Sequence, residues 1–232
     1  MPFYWNPIYW LFVGPALLLM LYAQWRVRTA YNKWGRVPNR TGLPGAKVAE
    51  RLLIENGLSG IRIQGIGGQL TDNYDPRSKT LNLSQGTATQ SSVAAMAIVA
   101  HEVGHAQQDA TGSLLLRLRS GLVPAVNIGS QLGPILFLVG FFLQFTPLMW
   151  LGIAFFSMAF VFALVTLPVE IDASSRAMKM LRASGLVTGE TERRGVRAVL
   201  TAAALTYVAA LLMALSQLLY YVTLASGSRR RR

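Results

Sequence analysis

The sequence predicts a mainly α integral membrane protein, with about four transmembrane helices and a small α+β insert on the cytoplasmic side. Composition is the first observation, since 52% of the 232 residues are hydrophobic and only 14% are charged, against about 25% charged in an ordinary soluble domain. The second is the distribution of charge, because no charged residue occurs in 1–25, 120–169 or 198–228. Each stretch exceeds the roughly 20 apolar residues that a helix needs to cross a membrane.

These stretches divide into four predicted spans, at about 7–24, 121–143, 148–168 and 198–224. The middle stretch is long enough for a hairpin with its turn at 144–147. The first span is a retained anchor rather than a cleavable signal peptide, because its positive charges follow the apolar run. The predicted domains are a transmembrane anchor (1–25), an insert (26–119), a transmembrane hairpin (120–169), an interfacial helix (170–197), and a last transmembrane helix with a basic tail (198–232).

Positive charges beside the first span predict the orientation, because such flanks tend to remain in the cytoplasm. Four of them follow it closely: Arg26, Arg28, Lys33 and Arg36. The N-terminus is then outside, and both 26–119 and the segment from Glu170 onward are inside. A path of four spans leaves Arg229–Arg232 outside, against the same rule. Either the last span does not cross fully, or the basic tail is tolerated there.

The net charge of +12 does not predict nucleic-acid binding. Basic residues crowd the ends of the spans, where anionic headgroups and topology explain them, and no aromatic–basic interleaving or recognition-helix pattern accompanies them. We therefore expect the lipid bilayer as a partner and no nucleic acid. The absence of Cys removes disulfides and thiolate metal ligands. The oligomeric state is not predicted.

The insert is predicted to be α+β. Residues 46–56 have helical spacing, and Gly57 is a plausible C-cap. Short strands follow near 61–66 and 80–84, joined by a turn at 72–76 that is rich in Asp, Asn and Pro. A second helix runs from Ser91 or Ser92 to Gln108.

The second helix carries the only two histidines of the chain, His101 and His105. Residues four apart lie on one helical face, so both imidazoles can reach the same zinc ion. Glu102 is placed to act as the general base in this HExxH pattern, which also arises by chance in unrelated helices. Gly104 costs a helix about 1 kcal/mol relative to Ala, which indicates that something approaches the backbone closely there.

A catalytic zinc needs a third protein ligand, and without further His or Cys that ligand must be an oxygen. Asp109 lies on the same helix, but its short side chain would have to fold back one full turn. Glu170 is preferred, because an unpaired carboxylate beside apolar residues would be costly. The alternative is that it simply follows Pro168 in the first turn of a helix. Asp172 and Ser174 are predicted to orient the second nitrogen of a histidine ligand.

Three separated motifs carry a family resemblance: HEVGHAQQ at 101–108, LTDNYDPRSKTLNLS at 70–84 and PVEIDASSRA at 168–177. Together they resemble the YugP-type membrane zinc metallopeptidases of bacteria. More distantly, the first and last are similar to the gluzincin membrane proteases of the HtpX and CAAX-prenyl-protease kind. In those proteases the Glu of the second motif is the third zinc ligand, and Glu170 holds that position here. The HtpX-like pattern has Asp four residues later, where this chain has Ser174.

The resemblance implies proteolysis with Zn2+ as cofactor. Together with the orientation predicted from the flanking charges, it leads us to expect a zincin-like insert in a multi-pass protein of the bacterial inner membrane, with the active site on the cytoplasmic side. In zincins a sheet-edge strand beside the motif helix binds the substrate backbone, and 80–84 is predicted to be that edge. Tyr74 or Arg77 is a candidate for stabilising the oxyanion, with ordinary turn chemistry as the alternative interpretation.

The predicted function is that of a membrane-bound zinc-dependent endopeptidase. It would hydrolyse peptide bonds of membrane or membrane-proximal proteins, with Glu102 as the general base for a zinc-activated water. The alternative is a non-catalytic membrane scaffold, in which a structural zinc clips the insert to the third span. An intramembrane protease of the site-2 kind would need a distant Asp in an apolar segment, and the four spans contain none.

Overall fold

The computed structural model describes residues 7–229 of the chain. Residues 1–6 of the predicted anchor and residues 230–232 of the predicted basic tail lie outside the described residues. The elements between them are α1 (Pro7–Trp34), α2 (Gly45–Glu55), β1 (Arg62–Ile66), β2 (Asn73–Asp75), β3 (Thr80–Ser84), α3 (Gln85–Thr89), α4 (Val93–Ala110), α5 (Leu114–Phe142), α6 (Thr146–Ala183) and α7 (Glu190–Arg229).

Four of these helices, α1, α5, α6 and α7, are long and apolar enough to cross a membrane. The prediction of a mainly α membrane protein with four spanning helices and a small sheet is therefore confirmed, as far as length and composition decide it. The side of the membrane on which the insert lies stays a prediction.

The predicted interfacial helix at 170–197 is not a separate element. Helix α6 continues through Pro168, and a turn with Gly185 at φ 66° separates it from α7. Proline removes one N–H donor from a helix, yet buried apolar residues continue at helical spacing beyond it: Val169, Ala173 and Ala177. Packing of this face explains why α6 does not end at the proline.

The described residues form two compact units. The apolar unit comprises 7–23, 117–168 and 206–229, and its core includes Phe137 and Tyr221, whose rings stack with centroids 4.2 Å apart. The site unit comprises Gln24–Leu116 and Val169–Leu205. All Asp and Glu residues of the chain lie in the site unit, so any carboxylate chemistry belongs there.

Strand β3 is the middle strand of the sheet in the site unit. It pairs in parallel with β1 and antiparallel with β2, so the prediction that 80–84 form an edge is wrong. Four of its five residues are buried, as befits a central strand. The turn predicted at 72–76 is also misplaced, because its middle residues form the edge strand β2. The chain turns after β2, where Lys79 adopts φ 51°.

Helix α4 runs through the interior of the site unit. It begins as predicted, with the Ser92 hydroxyl accepting a hydrogen bond from the amide of Ala95 at 3.1 Å. Thirteen of its 18 residues are buried, and α2 and the sheet pack against it. Polar side chains on this helix are therefore removed from water and need partners within the protein.

Candidate metal centre

Helix α4 places His101, Glu102 and His105 in the interior of the site unit. Four-residue spacing brings the two imidazoles together, with ring centroids 4.8 Å apart and the rings nearly perpendicular. The side chains of His101 and His105 are 13% and 10% exposed, and His105 and Glu102 both count among the buried residues.

Glu170 brings a carboxylate from α6 to the same point. Its Oε2 lies 3.1 Å from Nε2 of His101 and 3.4 Å from Nε2 of His105. The ligand atoms of the three residues all lie within 4.8 Å of one another. The structure thus brings together the three side chains predicted as ligands, and their role as ligands stays a prediction.

The donor set and its spacing fit a zinc ion. Two imidazole nitrogens and one carboxylate oxygen are zinc ligands, and three protein ligands leave a fourth position open, as in catalytic sites. Zinc bonds of about 2.0–2.1 Å in a tetrahedron place two ligand atoms roughly 3.3–3.4 Å apart. The separations of 3.1 and 3.4 Å between the carboxylate oxygen and the two nitrogens agree with this value.

Gly104 allows α6 to approach α4 at the site. A Cβ at this position would lie 2.5 Å from the carbonyl oxygen of Ala173, a distance at which the two helices would have to separate. The close approach inferred from the sequence is confirmed, and its source is the backbone of α6, three residues after Glu170. The glycine thereby allows the carboxylate and the two imidazoles to meet.

The other nitrogen of His105 is held by Gln108. The distance from Nδ1 to Oε1 of Gln108 is 3.0 Å, while Nε2 of the same amide donates to the Val169 carbonyl and to Asp172, each at 2.8 Å. Because both of those partners are acceptors, the atom facing them is the NH2 group. The amide oxygen must then accept the proton on Nδ1 of His105.

This tautomer leaves the lone pair of His105 on Nε2, directed toward the Glu170 carboxylate. A lone pair and an anionic oxygen 3.4 Å apart repel unless a proton or a metal ion lies between them. A metal ion satisfies both groups at once, so the hydrogen-bonding pattern is compatible with a metal at this point.

His101 has a polar neighbour on its own second nitrogen. The hydroxyl of Ser174 lies 3.3 Å from Nδ1 of His101, a longer contact than the one made by Gln108. Asp172, the other predicted orienting residue, contacts no histidine directly. It acts through Gln108 and is itself held by Nε of Arg176 at 2.7 Å.

Glu102 lies beside the ligands and contacts the sheet. Its Oε2 accepts a hydrogen bond from the backbone amide of Tyr74 on β2 at 3.0 Å. Burial raises the pKa of the Glu102 carboxyl to about 7, against the opposing effects of His101 and of the Tyr74 amide. A carboxyl group that titrates near neutral pH can both accept and return a proton, which is what a general base requires.

Comparison with known proteins identifies the family of the chain. A family model described as "Putative neutral zinc metallopeptidase" matches residues 9–226. The chain belongs to this zinc metallopeptidase family. It is also 41% identical over 216 residues to "Putative membrane protease YugP" of Bacillus subtilis (strain 168), covering 92% of this chain and 95% of that protein. The resemblance to YugP-type metallopeptidases is therefore confirmed. No solved structure matches.

The two oxyanion candidates lie on and after β2. The Tyr74 hydroxyl donates to Asp109 at 2.7 Å, and Lys79 also pairs with Asp109. Burial, with Asp109 nearby, raises the pKa of Tyr74 above its usual value. Arg77 is exposed in the turn, where its backbone amide donates a hydrogen bond to the carboxylate of Asp75. An oxyanion role for either residue stays a prediction.

Two groups at the site were missed by sequence analysis. The first is Gln108, whose role the sequence could have indicated. It is a polar residue three positions after His105, on the same face of a helix that is otherwise mostly apolar. The second is the backbone amide of Tyr74, for which no side-chain pattern could give a signal. Its contact with Glu102 depends on the order of strands in the sheet.

Proposed function

We propose that this chain is a membrane-bound zinc-dependent endopeptidase that hydrolyses peptide bonds of membrane or membrane-proximal proteins. One observation carries the proposal. His101, His105 and Glu170 converge within 4.8 Å, and Glu102 lies on the same buried helix as the histidines. Membership of a zinc metallopeptidase family supports a protease role in general.

The metal would be held by Nε2 of His101, Nε2 of His105 and the carboxylate of Glu170. Zinc with one open position supplies a Lewis acid that polarises a carbonyl group and lowers the pKa of water to about 7. Gln108 and Ser174 hold the imidazoles so that Nε2 of each faces the carboxylate. The chain thus supplies the ligands and fixes their orientation before any substrate arrives.

Glu102 moves the proton. Its Oε2 is bound to the Tyr74 amide, so Oε1 is the oxygen that takes the proton from the attacking water. The same oxygen then delivers the proton to the nitrogen of the departing amine, which completes cleavage of the C–N bond.

Strand β2 is the sheet edge that we propose for substrate binding, in place of 80–84. It pairs with β3 on one side only, and its Tyr74 amide reaches the general base. An extended peptide lying along this strand would pass Glu102 and the paired histidines, while the Tyr74 amide stays bound to Glu102 and does not pair with the peptide. Because β2 has only three residues, it would fix a short stretch of substrate around the cleaved bond.

Membrane-proximal substrates follow from the position of Glu170 in the sequence. It comes two residues after the predicted third span at 148–168, on the same continuous helix.

We propose that the site works at the cytoplasmic face of a bacterial inner membrane. The absence of Cys allows a direct test with Gln69→Cys and Phe145→Cys in spheroplasts. A membrane-impermeant maleimide should label Phe145→Cys at once and Gln69→Cys only after permeabilisation. The reverse pattern would contradict the proposed orientation.

The decisive experiment compares three variants of the full-length protein in nanodiscs. Glu102→Gln should retain one zinc per chain by elemental mass spectrometry and lose cleavage of a proteome-derived peptide library. Glu170→Ala should lose zinc and cleavage together, while Glu190→Ala, in the exposed first turn of α7, should change neither. Equal zinc content in wild type and Glu170→Ala would show that Glu170 is not the third zinc ligand.

The same variants test the alternative of a non-catalytic scaffold with a structural zinc. A scaffold would bind zinc through the same three residues, but the wild type would cleave no more of the library than Glu102→Gln does. If zinc is bound and the two proteins cleave equally little, the endopeptidase proposal is wrong and the scaffold proposal is favoured.

A further inference from the structure

The exposed face of α5 carries two carboxamides within the predicted span at 121–143. Asn127 and Gln131 lie one helical turn apart, and both are exposed. Gln131 is close to the midpoint of that span. Neither side chain hydrogen-bonds to any other residue in the described part of the chain. Hydrocarbon offers a carboxamide no partner, so such a face is unfavourable until another polar group covers it.

The opposite face of α5 packs against α6. Cβ atoms built on Gly129, Gly133 and Gly140 would lie 2.5–2.7 Å from backbone atoms of α6. At about 100° per residue, these glycines point roughly 160° away from the direction shared by Asn127 and Gln131. Helix α6 therefore occupies the glycine face and leaves the carboxamides uncovered.

The carboxamides belong to a longer regular pattern on α5. Residues at alternating spacings of four and three form one stripe along the helix: Ser120, Pro124, Asn127, Gln131, Pro134 and Leu138. This is the spacing by which two helices pack side by side with a left-handed crossing. None of the six is fully buried within the chain. We call these six residues the α5 stripe.

We propose that a second copy of this chain docks on the α5 stripe, so that the protein is a homodimer through parallel α5 helices. Two properties favour a second copy. A carboxamide has both a donor and an acceptor, so Asn127 and Gln131 are complementary to the same residues of the second copy. A second copy inserted with the same topology also places its carboxamides at the same depth, around a two-fold axis.

Single-cysteine variants of the full-length, cysteine-free chain test this interface in native membranes. Leu138→Cys lies on the α5 stripe, two turns from Gln131, and the adjacent Val139→Cys points about 100° away. Oxidation should give a disulfide-linked dimer with Leu138→Cys and little or none with Val139→Cys. Adding Asn127→Leu and Gln131→Leu should abolish the dimer, while zinc content at the wild-type level shows that the chain is folded.

Three results would overturn the proposal. The first is equal cross-linking of the two cysteines, or cross-linking that survives both leucine substitutions. The second is a disulfide adduct of Leu138→Cys with a different protein, which would assign the stripe to another membrane helix. The third is labelling of Gln131→Cys by a charged thiol reagent, because a thiol facing a helix or lipid is not accessible to it. Such labelling would mean that the carboxamides line a water-filled cavity.

Discussion

The amide oxygen of Gln108 lies 3.0 Å from Nδ1 of His105, and its amide nitrogen binds Val169 and Asp172 of α6. One side chain therefore selects the tautomer of a histidine and also joins the two helices that carry the proposed ligands. Because the amide is buried, water cannot replace it. We therefore expect metal binding and helix packing to be coupled through this residue.

Gln108→Leu should weaken zinc binding by about 10- to 100-fold, because His105 loses the group that holds its ring and its tautomer. Gln107→Leu is the matched control: that neighbour bonds to Asn56 and Arg176 and contacts neither histidine. Competition with a fluorescent zinc chelator measures both affinities. If the two variants bind zinc equally well, the orienting role assigned to Gln108 is wrong.

Gly104→Ala should destabilise the protein, because the new methyl group would meet the Ala173 carbonyl oxygen at 2.5 Å and such overpacking costs about 1–3 kcal/mol. The gain in helix propensity, about 1 kcal/mol, offsets part of this cost, so we expect a net loss of up to about 2 kcal/mol. Zinc affinity should fall as well, since Glu170 is carried away with α6. Gly121→Ala is the control, because nothing lies within 4 Å of its added Cβ.

The stabilities of these two alanine variants are compared by measuring their melting temperatures in detergent. The expected order is Gly104→Ala below wild type, with Gly121→Ala at or above it. Equal melting temperatures for the two variants would show that α4 and α6 do not approach as closely as the structure has them.

In zinc-free protein, Glu102→Gln should stabilise the fold more at pH 8 than at pH 5. Burial holds the folded-state pKa of Glu102 at about 7, whereas an unfolded Glu titrates near 4.3. Between these values the unfolded state binds fewer protons, so the stability of the wild type falls as pH rises. Glutamine is never charged and escapes this loss, which amounts to about 3 kcal/mol.

The measurement is the difference in melting temperature between zinc-free Glu102→Gln and wild type at the two pH values. Glu190→Gln, at an exposed position, is the control. Its melting temperature should differ from that of wild type by the same amount at pH 5 and pH 8. A difference of the same size at pH 5 and pH 8 would mean that Glu102 is ionised in the fold at both.

Tyr74→Phe tests whether the Tyr74 hydroxyl has a structural role, through its hydrogen bond to Asp109, or stabilises the oxyanion. The hydroxyl donates to Asp109 at 2.7 Å, so we expect its removal to cost about 1 kcal/mol of stability and less than tenfold in kcat. Loss of a donor to the oxyanion would instead lower kcat by about 100- to 1,000-fold at unchanged stability. Peptide cleavage and melting temperature, measured on the same preparation, separate the two outcomes.

Particular residues show how far sequence reasoning reached. His101, Glu102 and His105 were recognisable because their chemistry depends on spacing within one helix. Glu170 was recognisable as an acid directly after an apolar run. Short segments are harder to predict: Asp, Asn and Pro at 72–76 indicate a turn, and the three-residue strand β2 has too few positions to show alternation.

The sequence by itself determined the apolar spans, the motif helix, the three proposed ligands and the need for close approach at Gly104. Each of these is a property of one segment: its charge, its periodicity, or the cost of a residue in its local conformation. Only the tertiary structure decided that β2 is the edge strand, that the Tyr74 amide meets Glu102, and that Gln108 connects His105 to Asp172. These contacts join groups from different elements, up to 64 positions apart in the chain, and packing alone determines which buried donors and acceptors meet.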